Sequence, residues 1–182
     1  MKAKKTSFLT IEEMVKFAYF GTMMFVFKII EGIPNFHPLA MLITVFTVVY
    51  GVKAIWIIVV FDFLTGLIWA GFMVWWYPYL YIWTLLWAVV MLLPKNMKEE
   101  NAIVVYTIVC TLHGLLYGTL YAPYQALVFW LNAKQTFAWI LAGLPYDVLH
   151  AINNFAISLL CVPLINLLRK IDKTTVKSSA AK

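Results

Sequence analysis

The chain has 182 residues, 64% of them hydrophobic, 17% aromatic and 12% charged, with a formal net charge of +6. A soluble domain carries about 25% charged and about 45–50% apolar residues, so this composition, with a mean hydropathy of +0.87, is that of a membrane protein. Six helices of about 20 residues each use roughly 120 residues and leave about 60 for every loop and tail, which excludes a second soluble domain of about 50 contiguous residues or more. No GxxxxGK(S/T) run is present to cradle a nucleotide phosphate, so uphill transport by this chain needs an ion gradient or a partner.

The N-terminal MKAKKTSFLTIEEM is basic and lacks an early apolar core followed by a small-residue cleavage site, and is expected to be a retained cytoplasmic tail over residues 1–10. The first apolar stretch runs from Ile11 to Ile30, opened by Thr10 with Glu13 at capping-box spacing, and stops at the turn signal Glu31-Gly32-Ile33-Pro34. The second, Pro38 to Tyr50, is short for a crossing. It must lie in thinned bilayer, extend past Gly51-Val52-Lys53, or be shielded by its neighbours. The third runs from Ala54 to Trp75, the fourth from Tyr79 to Leu93 between Pro78 and Pro94, and the fifth from Ala102 to Tyr121. Between Ala122 and Leu144 the chain is apolar but interrupted by Pro123, Asn132, Lys134 and Gln135, which suggests short helices in or near the outer interface. The last span runs from Tyr146 to Leu168 and leads into a basic tail, 169–182. The expected fold is an all-α, polytopic bundle of six transmembrane helices over residues 11–168, a single integral membrane domain.

Basic residues orient it. When six spans alternate sides, Lys2, Lys4, Lys5, Lys16, Lys53, Lys95, Lys98, Arg169, Lys170, Lys173, Lys177 and Lys182 fall on one side, and Lys28 and Lys134 on the other. The positive-inside rule then makes both termini cytoplasmic; a seventh span within 122–144 would put the basic C-terminus outside.

The chemistry gathers at the outer ends. WWYPYLYIW, Trp75 to Trp83, includes Trp75, Trp76, Tyr79 and Trp83, within reach of Tyr117, Tyr121 and Tyr124 if the fourth and fifth helices are neighbours. Such residues form interfacial belts, but this density also suits the wall of a pocket for a large, partly planar ligand. In the last span Asp147, His150 and Asn154 share one helical face, a stripe able to hydrogen-bond a ligand or to tie helices together. Asn35 and His37 in the first outer loop are a further candidate pair; Lys28 and Glu31 can neutralise each other. Asp62, mid-span, is a candidate proton carrier or a buried hydrogen-bonding group, and His113 is a further buried polar group. Gly114, Gly118 and Ala122 at four-residue spacing mark a close helix contact, and Ala18, Gly21 and Thr22 form a small-residue patch near the cytoplasmic side where a membrane partner could dock. There is no HExxH, no GxSxG and no metal-spaced cluster: the three histidines His37, His113 and His150 lie on different segments. Cys110 and Cys161 read as packed hydrophobes, and no enzymatic constellation or cofactor is expected.

The chain resembles the substrate-binding S components of energy-coupling factor transporters, the ABC-type vitamin importers of bacterial cell membranes. Length, six spans, inward termini, an outward site and the lack of an ATPase motif carry the likeness, together with NFHPLAML, WWYPYLYIW and AGLPYDVLHAINNF, which resemble the cobalamin-type subgroup. The resemblance implies an outer pocket taking cobalamin or a related corrinoid, with ligand residues drawn from His37, Trp75, Trp76, Tyr79, Trp83, Tyr121, Asp147, His150 and Asn154. It also implies docking through Ala18, Gly21 and Thr22 on a transmembrane coupling protein that carries two cytoplasmic ATPases, and toppling of the whole subunit during transport. Family members carry AxxxA there; this chain has AxxxT. Another vitamin such as pantothenate or folate, a proton-coupled transporter using Asp62, and a structural membrane protein are the competing expectations.

Overall fold

The computed structural model describes residues 9–30 and 36–180. Lys2, Lys4, Lys5, Glu31, Asn35 and Lys182 lie outside the described residues, as does the Lys177 side chain. All regular structure among the described residues is helical.

Helix α1 spans Ile11–Ile29 and begins as expected: Thr10 Oγ1 accepts from the Glu13 N–H at 3.1 Å while the Thr10 N–H donates to Glu13 Oε2 at 3.0 Å. Helix α2, Leu39–Tyr50, lies at the centre of the bundle. Every residue from Leu39 to Thr47 is buried, against the later helices. Of the three ways a short apolar helix could be accommodated, shielding by neighbours is the one observed. At Gly51 the backbone adopts φ +59°, which glycine tolerates, and a 3-10 turn, Gly51–Ala54, leads into α3, Ile55–Leu64.

The chain reverses there. Glu13 pairs with Lys53 at 2.6 Å and Gly21 abuts Val60, so α1 and α3 run parallel. Helix α2 runs the other way, from the neighbourhood of His37 and Trp83 to Tyr50, whose ring lies 5.2 Å from Phe17 near the start of α1.

Helix α3 continues as a π-helix, Thr65–Ala70, ended by Gly71 at φ +61°. Gly66 is required there, because a Cβ would stand 2.4 Å from the Phe72 ring. Helix α4 spans Tyr79–Leu92 with Pro78 at its N-cap. The expected fifth span divides at Leu116 into α5, Glu99–Leu115, and α6, Tyr117–Val128.

The 122–144 segment departs from expectation. Asn132 and Gln135 are not an interruption but a second capping box, with Gln135 N–H on Asn132 Oδ1 at 3.0 Å and Asn132 N–H on Gln135 Oε1 at 2.9 Å. They start α7, Ala133–Ser158, which passes through Pro145 into the expected last span. That span is itself bent by 49° before α8, Cys161–Ala180. Pro163 explains the break, since it has no N–H to donate to the Leu159 carbonyl four residues back.

Helices α7 and α8 lie antiparallel along α5 and α6: Asp147 meets Gly118, Asn154 reaches the Cys110 carbonyl, and Asn166 reaches Glu99. Two helical stretches among the described residues, Leu39–Trp69 and Glu99–Val128, are apolar and long enough to cross a membrane. The bent pair Ala133–Ser158 and Cys161–Lys173 makes a third if counted as one span. The reversal at Gly51 divides the first of these stretches into two short helices.

The core is largely apolar, but so is the perimeter, and polar side chains are buried among the core residues. Val15, Phe63, Leu80, Ile108 and Ile152 are exposed around the perimeter, while Asp62, His113, Asp147, His150, Asn153 and Asn154 are buried. An apolar perimeter with its polar side chains turned inward is what lipid selects.

Candidate functional site

The bundle has two chemically distinct ends. Lys16, Lys53, Lys95 and Arg169 gather at one, where Lys16 pairs with Asp172 at 2.7 Å and Lys53 with Glu13. At the other, aromatic and imidazole rings converge.

Trp83 on α4, fully buried, is the hub of that convergence. Its ring centroid lies 5.3 Å from His113, 5.6 Å from Tyr117, 5.9 Å from Tyr79, and 6.2 Å from both Phe61 and His37. His150 on α7, also fully buried, lies 5.0 Å from Tyr117, 5.3 Å from His37 and 6.5 Å from His113. The three histidines, far apart in sequence, thus share one cluster. Among the described residues no three His, Cys, Asp or Glu side chains are arranged to hold a metal ion. The rings instead make a compact polar and aromatic core. His37, in the connection before α2, is held neutral: burial, reinforced by the nearby Lys28 ammonium, pushes its pKa down to about 3.

The remaining candidate residues divide by what their polar atoms touch. Both carboxylate oxygens of Asp147 accept from the Gly118 N–H, at 3.0 and 3.1 Å. Gly118 is in the first turn of α6, so Asp147 serves that helix as an N-terminal cap supplied from α7. Asn154 donates to the Cys110 carbonyl at 2.9 Å, and its neighbour Asn153 to the His37 carbonyl at 2.8 Å. The stripe read from sequence is therefore two backbone tethers flanking His150.

Trp76 packs away from the cluster, its indole donating to the Asp62 carbonyl at 2.8 Å and its ring standing on Phe72. Tyr121 donates to the Trp75 carbonyl and stacks on Trp139. Trp75 and Trp139 line an open cleft of about 490 Å³ with Val74, Gln125, Phe129 and Leu131, adjoining the buried cluster through Tyr121 and Tyr79. That volume is within the range of small-molecule sites, about 300–1,000 Å³.

Buried polar atoms without a hydrogen-bond partner among the described residues include both ring nitrogens of His150, the Trp83 indole nitrogen, Asp62 Oδ1 and Asn153 Oδ1. Such groups cost about 1–3 kcal/mol each when left unpaired in an interior. Their residues are buried and do not line the open cleft.

Two members of the cluster, His113 and Tyr117, lie outside the ligand set expected from the sequence, although Tyr117 is expected near the aromatic stretch. Their signal was present, because His113, Tyr117 and Tyr121 repeat every four residues along α5 and α6. Of the first-helix patch, Ala18 and Thr22 face outward, whereas Gly21 is buried against Val60 and Ile57 of α3.

These features define an all-helical protein with helices able to cross a membrane and a polar interior at one end. The chain matches no family model, no curated protein and no solved structure.

Proposed function

We propose that this chain is the substrate-binding membrane subunit of an energy-coupling factor importer, taking cobalamin or a related corrinoid at its aromatic end. In this reading six spans cross the membrane with both termini cytoplasmic, so the basic end faces inward and the Trp83 and His150 cluster faces out. The observation that carries it is the pairing of an open aromatic cleft at Trp75 and Trp139 with a buried ring cluster, joined to it through Tyr79, that holds unpartnered donors and acceptors. Aromatic walls suit the flat macrocycle, and imidazole, indole and amide groups suit its peripheral amides. The exposed Ala18 and Thr22 let a coupling protein approach the α1 backbone closely, and its two ATPases supply the energy this chain lacks.

Titration of the purified chain with cyanocobalamin, cobinamide, pantothenate and folate, read by quenching of its tryptophan fluorescence, tests the substrate. Saturable quenching by the corrinoids at or below micromolar concentration is expected; tight binding of another vitamin with none of a corrinoid overturns the substrate and keeps the class. A second reading is favoured by Asp62, whose buried Oδ1 is unpartnered: a proton-coupled transporter. Uptake that persists without ATPase activity and collapses with the proton gradient selects that reading over the first.

A further inference from the structure

The basic end holds two adjoining recesses. One, of about 450 Å³, is walled by the ends of α2 and α4 and by Tyr106 of α5, with Lys95 and Arg169 on its lining. The other, of about 190 Å³, shares Val48, Lys95, Tyr106 and Arg169 with it.

The charges of this end are not treated alike. Lys16 and Lys53 are each closed by a carboxylate, at 2.7 and 2.6 Å. Lys95 and Arg169 have no carboxylate partner among the described residues, and both line the same recesses. The one acid on the lining, Glu99, accepts from the Asn166 amide at 2.9 Å. A guanidinium and an ammonium left unneutralised across one cleft favour a phosphate, which the planar guanidinium can bind with two parallel hydrogen bonds.

The walls narrow the choice of anion. Val48, Val49, Val90, Met91 and Leu93 give the cleft an apolar floor. Leu92, between two of these lining residues, is 85% exposed, so the edge of the cleft borders the apolar perimeter of the bundle. A free phosphate satisfies the two cations and leaves the floor wet; a phosphate ester carrying hydrocarbon chains satisfies both. Basic recesses between membrane helices are suited to anionic headgroups in this way.

We infer that the basic end carries a binding site for the phosphate headgroup of an anionic phospholipid, held between Arg169 and Lys95 with its glycerol and upper acyl carbons along the Val90 to Leu93 wall. The site is independent of what the aromatic end binds and requires only that the chain be in a membrane.

The test uses the full chain in a neutral detergent, with native mass spectrometry and thermal unfolding as readouts. Phosphatidylglycerol should bind and raise the unfolding temperature, and an equal concentration of phosphatidylcholine should do neither. Arg169→Gln should weaken phosphatidylglycerol binding at least tenfold and Lys95→Gln several-fold, whereas Lys98→Gln, outside the lining, should leave it unchanged. Both cleft residues are solvent-facing, so the variants should elute and unfold like the parent in lipid-free detergent. Equal binding of phosphatidylcholine, retention of phosphatidylglycerol by Arg169→Gln, or equal stabilisation by inorganic phosphate alone overturns the inference; the last would make the site one for a soluble anion.

Discussion

Gly118 is the place where the packing of α7 on α6 is most sharply testable. A Cβ at this position would stand 2.5 Å from Asp147 Oδ2 and 3.1 Å from Oδ1, well inside contact distance. Asp147 is short and cannot retreat without giving up its two hydrogen bonds from the Gly118 N–H, at 3.0 and 3.1 Å. Overpacking of this kind costs about 1–3 kcal/mol, and loss of a hydrogen bond to a charged group about 1.5–3 kcal/mol. Gly118→Ala should therefore destabilise by about 3–5 kcal/mol, a large share of the 5–15 kcal/mol typical of a folded domain. Gly143 supplies the control: it lies inside α7 with open space where its Cβ would be, and Gly143→Ala should be neutral or stabilising by up to about 1 kcal/mol. Reversible unfolding in mixed detergent micelles, followed by tryptophan fluorescence, measures both. A double-mutant cycle with Asp147→Ala completes the argument, because removing the offending carboxylate makes room for the new methyl. The pair should cost about 1–2 kcal/mol less than the sum of the singles. Strict additivity, or a Gly118→Ala protein as stable as the parent, would falsify the contact.

Other expectations follow from the same geometry. Gly21→Val should destabilise by at least about 2 kcal/mol in the same unfolding assay, since even a Cβ there would lie 2.7 Å from Val60 and 2.8 Å from the Ile57 carbonyl. Ala18→Trp, on the exposed side of α1, should leave folding and ligand binding intact and abolish uptake in cells containing the coupling partners; undiminished uptake removes the docking assignment. His150→Ala should lower affinity in the fluorescence titration at least tenfold while Asn154→Ala acts mainly on stability, because only the former has ring nitrogens left to offer. His37, with a pKa lowered from 6.5 to about 3 by burial, binds fewer protons folded than unfolded. Stability should therefore fall as pH drops below about 6.5, by at most about 1.4 kcal/mol per unit from this residue; unfolding profiles from pH 8 to pH 5 that do not flatten in His37→Gln would show that it contributes nothing.

How much of this was legible in the chain depended on the range of the interaction. Local devices read directly: the Thr10 and Glu13 capping box, the stops at Pro78 and Pro94, and the Gly114 and Gly118 stripe that α7 approaches. The misread boundary was local too. Asn132 and Gln135 have the same three-residue spacing as Thr10 and Glu13, but a polar pair inside an apolar run reads equally as a break in structure and as the start of a helix, and here it is the latter. Nothing local revealed that His37, His113 and His150 meet, since that depends on α2, α5 and α7 sharing one interior; the four-residue repeat along α5 and α6 marked a face without naming its partner. The burial of α2 on all sides was equally a property of its neighbours, and only its shortness hinted at it.

The division among buried polar groups bears on how a ligand would engage the aromatic end. Asp147, Asn154 and the Trp76 indole are each bonded to a backbone atom of another element, and Asn153 Nδ2 is bonded to the loop before α2. Those bonds fix α6, α5, the end of α3 and the entry to α2 relative to their neighbours, which is the role of a rigid scaffold. His150 and the Trp83 indole nitrogen sit between these tethers, have their rings fixed by aromatic neighbours, and hold no such bond themselves. A group that is positioned yet uncommitted costs stability in the free protein and returns it only when a partner arrives, so its affinity for that partner is raised without further ordering. On the proposed function the strongest ligand contacts are then expected at Trp83 and His150, in the cluster joined to the Trp75 and Trp139 cleft through Tyr79 and Tyr121, and Asp147 and Asn154 are the residues whose loss would unfold the site rather than weaken its grip.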